Sequence, residues 1–368
     1  MASQGLRPIA IYLPQFHPTK ENNEWWGKGF TEWTNVVKGR PLFNGHYQPH
    51  LPGDLGFYDL RLREIRQEQA RMAAEYGIYG FCYYHYWFNG RRVLNQTLDD
   101  MLESGVPDFP FMYCWANENW TRTWDGMEKH ILLEQRYNME DHRNHMQWLC
   151  ESVFSNPNYI RIEGKPVFVI YRNDLIPDMK KVAKMWRDTA TSYGNPGLYL
   201  IHCENSSYRV LSLADEGFDA SLQFQPYLTS MPLRKAPFYR RLLRQLSGNR
   251  ICKWQNDRII PVAYYEQVVK AMTSEPLPER KRFPGIMPGW DNTSRRPDGR
   301  AYVVHGSTPE LYGKWLRHLV RNFKPFSGEE NFIFINAWNE WAEGNHLEPD
   351  QKWGMGYLEQ TRKALEVH

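Results

Sequence analysis

Two glutamates three residues apart, Glu340 and Glu343, follow the apolar run Asn331-Ala337 and stand among Trp338, Asn339 and Trp341. A carboxyl pair can cleave a glycosidic bond. One member, protonated, donates to the departing oxygen, and the other, ionised, acts as nucleophile or base. Apolar neighbours raise one carboxyl's pKa, and mutual repulsion drives the two further apart, which supplies the asymmetry the reaction needs. Glutamate at the start of a helix is also a capping residue, so the pair alone is moderately specific. A second Asn-Glu pair, Asn117-Glu118, offers an alternative partner.

These residues need a scaffold that delivers them to one place. Apolar runs recur at Ile9-Phe16, Gly80-Tyr86, Phe109-Trp115, Val167-Tyr171, Leu198-Cys203, Ala220-Phe224, Phe283-Pro288 and Asn331-Ala337, with room for a helix between them. Intervening segments have helical periodicity. One carries Leu62, Ile65, Met72, Ala73 and Tyr76, and another Met179, Val182, Ala183, Trp186, Ala190 and Tyr193. A third carries Leu311, Trp315, Leu319, Val320 and Phe323 behind a Thr308-Pro309 start. Buried parallel strands alternating with helices predict an α/β protein, a (β/α)8 TIM barrel forming a single catalytic domain over residues 1–368 with long βα loops. A doubly wound open sheet is the competitor, but no Gly-rich phosphate loop follows an early strand.

In such a barrel the chemistry gathers at the carboxyl ends of the strands. Those ends carry Gln15 and His17; His85, Tyr86 and Trp87; Trp115, Asn117, Glu118, Asn119 and Trp120; and Tyr171 and Arg172. The later strands add His202 and Glu204; Gln223 and Gln225; Trp290, Asp291 and Asn292; then Trp338, Asn339, Glu340 and Glu343. Flat aromatics among amides and carboxylates suit sugars, whose C–H faces stack on rings and whose hydroxyls need planar hydrogen-bond partners. Trp33, Trp87, Trp115, Trp120, Trp290, Trp338 and Trp341 are the expected stacking members of the rim.

Composition narrows the function class. The 368 residues include 15 Trp and are 15% aromatic, so disorder is excluded, and a formal charge of +3 gives no reason to expect a nucleic-acid partner. No apolar run is long enough to span a membrane. The first residues lack the marks of a signal peptide, so the expected location is cytoplasmic, or periplasmic or secreted if a signal is missing from the chain. The five cysteines lack a C-x-x-C; Cys82, Cys114 and Cys203 read as small buried hydrophobes. His46 and His50 are four apart, but Pro49 argues against one helical face, so no metal and no cofactor are expected. The connection Tyr227 to Arg282 carries Arg234, Lys235, Arg240, Arg241, Arg244, Arg250 and Lys253, a solvated helix or an anion-binding segment. Asn205 and Asn292 each stand in an N-x-S/T context.

The motifs Ile11-Tyr12-Leu13-Pro14-Gln15-Phe16-His17-Pro18, Phe30-Thr31-Glu32-Trp33, Tyr47-Gln48-Pro49-His50-Leu51-Pro52, Trp115-Ala116-Asn117-Glu118-Asn119-Trp120 and Trp338-Asn339-Glu340-Trp341-Ala342-Glu343-Gly344 resemble the WbsX-like proteins. These occur with bacterial polysaccharide loci, are often labelled glycosyltransferases, and are related to the glycoside hydrolase family 99 endo-α-mannosidases. The resemblance spans nearly the whole chain. It implies a (β/α)8 barrel and a retaining hydrolase of a complex polysaccharide. Glu340 would be the base that takes the sugar 2-hydroxyl proton on the way to a 1,2-anhydro sugar, and Glu343 the general acid and then base. A glycosyltransferase and a non-catalytic carbohydrate-binding protein are the alternatives. A transferase would want a nucleotide-diphosphate site, often a D-x-D with a metal, and none is present.

Overall fold

The structure is a computed structural model that describes residues 5–122, 127–205, 212–227, 262–274, 276–278, 280–296 and 301–366. The basic cluster from Arg234 to Lys253 lies outside the described residues. Eight parallel strands form the barrel: β1 (Arg7–Tyr12), β2 (Gly80–Phe88), β3 (Phe111–Trp115), β4 (Lys165–Ile170), β5 (Tyr199–Glu204), β6 (Ala220–Gln223), β7 (Arg282–Phe283 and Gly285–Ile286) and β8 (Phe332–Ile335). All eight agree with the runs read from the sequence.

Neighbouring strands pair in chain order, with Ile9 opposite Gly80, Tyr84 opposite Cys114, Phe168 opposite Leu200 and Leu222 opposite Cys203. The ring closes through β7 and β8. Phe283 pairs with Leu222 of β6, Gly285 and Ile286 pair with Phe334 and Ile335 of β8, and Ile9 of β1 lies opposite Phe334. Proline has no N–H to give a ladder, so Pro284 splits β7, while its carbonyl still accepts from Phe334 N at 3.0 Å. Gly285 is required at this seam: a Cβ there would sit 1.8 Å from the Gln223 carbonyl oxygen.

The periodicity of two sorts each strand's residues. On β2, Tyr84 and Tyr86 face the interior cavity, whereas His85 and Trp87 pack outward on the helix Met139–Ser152. Trp115 likewise leaves the interior to meet Trp186 of the helix Met179–Ser192. The helix Pro309–Asn322 starts as expected, with Thr308 Oγ1 accepting from Leu311 N at 3.3 Å and proline at its first position. Among the described residues no helix is long and apolar enough to cross a membrane.

Candidate active site

The catalytic candidates leave β8 through a segment held to β1 by Trp338 N, which donates to Ile11 O at 2.7 Å, and to the residue after β1 by one side chain. Asn339 Oδ1 accepts from Leu13 N at 2.7 Å, and its Nδ2 donates to Leu13 O at 3.0 Å. A buried amide thus replaces a rung of the sheet ladder, and the next residue, Glu340, turns into the barrel mouth. The chain then makes one tight turn, Trp341–Glu343, and Gly344 reverses it at φ +55°. The indole of Trp341 donates to Glu348 Oε2 at 2.6 Å and stacks on His346, so this turn is anchored from behind.

Arg295 faces both carboxylates. Its guanidinium nitrogens lie 3.0 Å from Glu340 Oε2, 2.9 Å from Glu343 Oε1 and 2.6 Å from Glu32 Oε1. Local chemistry explains its place. Asp291 Oδ1 accepts from Thr293 N and Oγ1 at 3.0 and 2.6 Å, Arg295 N donates to Asn292 O, and Ser294 Oγ donates to Ala342 O at 2.7 Å. The turn after Asp291 is therefore fastened to the turn carrying Glu343. Three carboxyl groups share one guanidinium in a buried setting, so full ionisation would leave excess negative charge. Burial pushes the Glu340 carboxyl up to about 8, against the pull of Arg295 and with the repulsion of Glu343 and Glu32. Burial raises Glu32 as well, and its Oε2 has no hydrogen-bond partner.

The cavity above this cluster measures about 300 Å³. Gln15, Tyr86, Glu118, Trp120, Tyr171, Trp290, Glu340 and Glu343 line it, eight residues expected at the rim. It also takes in Asn119, a ninth residue expected there, together with six that strand-end reading did not select: Asn22, Trp25, Trp26, Tyr84, Phe224 and Arg295. Trp25 packs edge-on to Trp120 at 5.6 Å, and Tyr86 meets Trp120 at 5.1 Å, so one wall is aromatic. Trp290 is placed by a small sheet in which it pairs with Val304. Trp25 and Trp26 belong to the helix Lys20–Trp26 inside the first long loop, where only their paired aromatics gave a signal. Glu32 lay within the quoted Phe30-Thr31-Glu32-Trp33 motif, and Arg295 within a turn rich in small polar residues.

The remaining expected rim residues are placed elsewhere, each for a packing reason. His85 is buried, with its Nε2 2.9 Å from that of His145, between Tyr113 and Trp148. Trp87 donates to Asp141, and Trp115 packs among His142, His145 and Trp186. His17 is buried 3.4 Å from Thr97 Oγ1, and burial pulls its pKa down to about 4. Trp33 and Trp341 pack on each other, and Trp338 packs on Phe81. Asn117 bonds the backbone of Arg172 on both sides, and Gln225 donates to Gly285 O. Asp291 accepts from His46 and Gln48, Asn292 Oδ1 accepts from Tyr302 N, and Asn339 serves the ladder described above. These are positioning groups around the cavity and do not line it. Glu204 is also buried, in ion pairs with Arg280 and Arg282.

Comparison with known proteins agrees with this architecture. A solved "Glycoside hydrolase-like protein" superposes with a TM-score of 0.62 at 15% identity, covering 100% of this chain and 96% of that one. The GH99 endo-alpha-mannosidase from Bacteroides thetaiotaomicron superposes with a TM-score of 0.56 at 15% identity, covering 98% and 96%. At these identities the likeness is one of fold. In sequence the chain is 37% identical over 358 residues to the "Uncharacterized protein WxcX" of two Xanthomonas campestris pv. campestris strains. That match covers 97% of this chain and 49% of the relatives, so the chain spans about half the length of the curated proteins it matches. Residues 8–361 match the family described as "Glycosyltransferase WbsX", and the chain belongs to that family.

Proposed function

We propose that the protein is a retaining glycoside hydrolase acting on a complex bacterial polysaccharide, with Glu340 and Glu343 as its catalytic pair. The observation that carries the reading is the pair itself: two glutamates held by one guanidinium at the floor of an aromatic-walled cavity. Sharing Arg295 keeps the two carboxyl groups close, which suits a retaining mechanism better than the wider gap an inverting enzyme leaves for water.

In the proposed reaction Glu340, ionised, takes the proton of the sugar 2-hydroxyl. The freed oxygen attacks the anomeric carbon as the bond to the leaving group breaks, and Glu343 gives its proton to the departing oxygen. Water then attacks the anomeric carbon, losing a proton to Glu343, while the strained ring opens and its oxygen recovers the proton from Glu340. Two inversions return the starting configuration. A carboxylate of ordinary pKa is a weak base toward a hydroxyl; raising Glu340 to about 8 narrows that gap. Backside attack by the 2-oxygen further requires substrates whose 2-hydroxyl is trans to the leaving group.

The family description favours a second reading, transfer of a sugar to an acceptor hydroxyl. A panel of oligosaccharides and bacterial polysaccharides, followed by chromatography of products, separates the two. Release of sugar without any activated donor is the expected result; calorimetric binding of nucleotide sugars together with donor-dependent transfer would overturn it.

A further inference from the structure

Behind the turn that carries Glu343 lies a second cavity of about 220 Å³, lined by His46, Tyr47, His50, Asp291, His305, His346 and Asp350 among others. Three ligand-type atoms converge at its wall. One nitrogen of His50, one of His346 and a carboxylate oxygen of Asp350 all lie within 4.8 Å of one another, with His50 Nδ1 2.9 Å from His346 Nε2 and Asp350 Oδ2 4.0 Å from that same nitrogen.

The surroundings fix which atoms are available. His346 Nδ1 lies 2.9 Å from Glu348 O and must carry the proton there, so Nε2 presents a lone pair to the centre of the group. Asp350 Oδ1 accepts from the backbone N–H groups of Lys352 and Trp353 at 3.0 and 2.5 Å, which orients Oδ2 inward, where Tyr47 Oη is the nearest donor at 3.2 Å. Lys352 turns its ammonium over the Tyr47 and Trp353 rings, and Asp291 is engaged with His46 and Gln48. A neutral His–His hydrogen bond would satisfy His50 and His346 alone and leave Asp350 Oδ2 with the tyrosine.

We propose that His50, His346 and Asp350 bind a divalent first-row transition metal, with Zn²⁺ as the reference ion and the cavity supplying the fourth position. Two imidazoles and a carboxylate with one open place are the donor set of an exchangeable zinc site. The proline between His46 and His50 made that pair look unfit for a metal, and it is: His46 is committed to Asp291, while His50 finds its partner 296 residues away. The ion ties the first long loop to the Gly344–Asp350 segment. Gly344, next to Glu343, is so close to His50 that a Cβ there would sit 3.3 Å from the ring.

The test uses the full chain, stripped with a chelator and reloaded with Co²⁺ or Zn²⁺. Expected are the visible d–d bands of four-coordinate Co²⁺, one equivalent of Zn²⁺ by mass spectrometry of the metal, and a raised melting temperature. H50Q, checked for folding by circular dichroism, weakens Zn²⁺ binding at least about 100-fold, and H46Q leaves it intact. A Co²⁺ spectrum of the aquo ion only, no retained Zn²⁺, or equal binding by H50Q and wild type would each overturn the assignment. Every readout is independent of glycan cleavage.

Discussion

The two faces of β2 carry similar residues to opposite ends. Tyr84 and Tyr86 point into the cavity, where Glu340 acts on both hydroxyls, while His85 and Trp87 point out and are sealed between the sheet and the helix Met139–Ser152. Both faces are buried and both are polar. The outer cluster is neutral: burial drives the His85 pKa down to about 3 and that of His145 well below its ordinary value. The inner cluster keeps a cation, Arg295, among carboxyl groups, of which burial pushes Glu340 up to about 8. Polar residues near a strand end mark a reactive site when they face a cavity with a counter-charge, and mark packing when they do not.

Substitutions on the two faces should therefore part sharply. E340Q and E343Q each lower kcat about 10³-fold with the fold intact, whereas H85F leaves kcat within about threefold and costs about 1–3 kcal/mol of stability by orphaning His145. Steady-state kinetics beside denaturant melts reads both, and a dead but folded H85F would break the distinction. R295M lowers kcat/KM about 10²-fold and, by removing the cation, moves the Glu340 pKa still higher; its pH–rate profile shifts to higher pH than that of wild type.

Wild-type activity itself climbs as pH rises toward about 8, the value at which a Glu340 base becomes ionised. Stability moves the other way. The folded state holds this proton more tightly than the unfolded chain, so the stabilisation is complete below the ordinary 4.5 and is lost as pH rises through about 8. E340Q has no such loss and gains on wild type in alkaline melts. A falling activity limb across the same range would instead assign Glu340 as the acid. The smallest effects belong to stacking: W120A or W290A raises KM about 3- to 10-fold with little change in kcat, while W115F alters melting and not KM.

The barrel was legible in the sequence because its strands are nearly unbroken apolar runs, and even the seam at Phe283-Pro288 stands out. Glu340 and Glu343 were legible for the same reason, following the last such run. Alternation was equally available, and applying it along Tyr84, His85, Tyr86 and Trp87 would have separated the cavity residues from the packed ones. Arg295, Glu32 and the His50–His346 pair are different in kind. Each acts through a partner tens to hundreds of residues away, on loops whose path follows from tertiary contacts such as Ser294 with Ala342, and no local spacing encodes them.

The central claim is a glutamate pair that cleaves with retention, and the most direct measurement is proton NMR of the first-formed anomer. Wild-type protein is mixed with a cleaved glycan, and spectra are taken before mutarotation. The account predicts that the initial product keeps the anomeric configuration of the bond broken, and that E340Q and E343Q release none. An initial product of inverted configuration, or undiminished release by both variants, would contradict it.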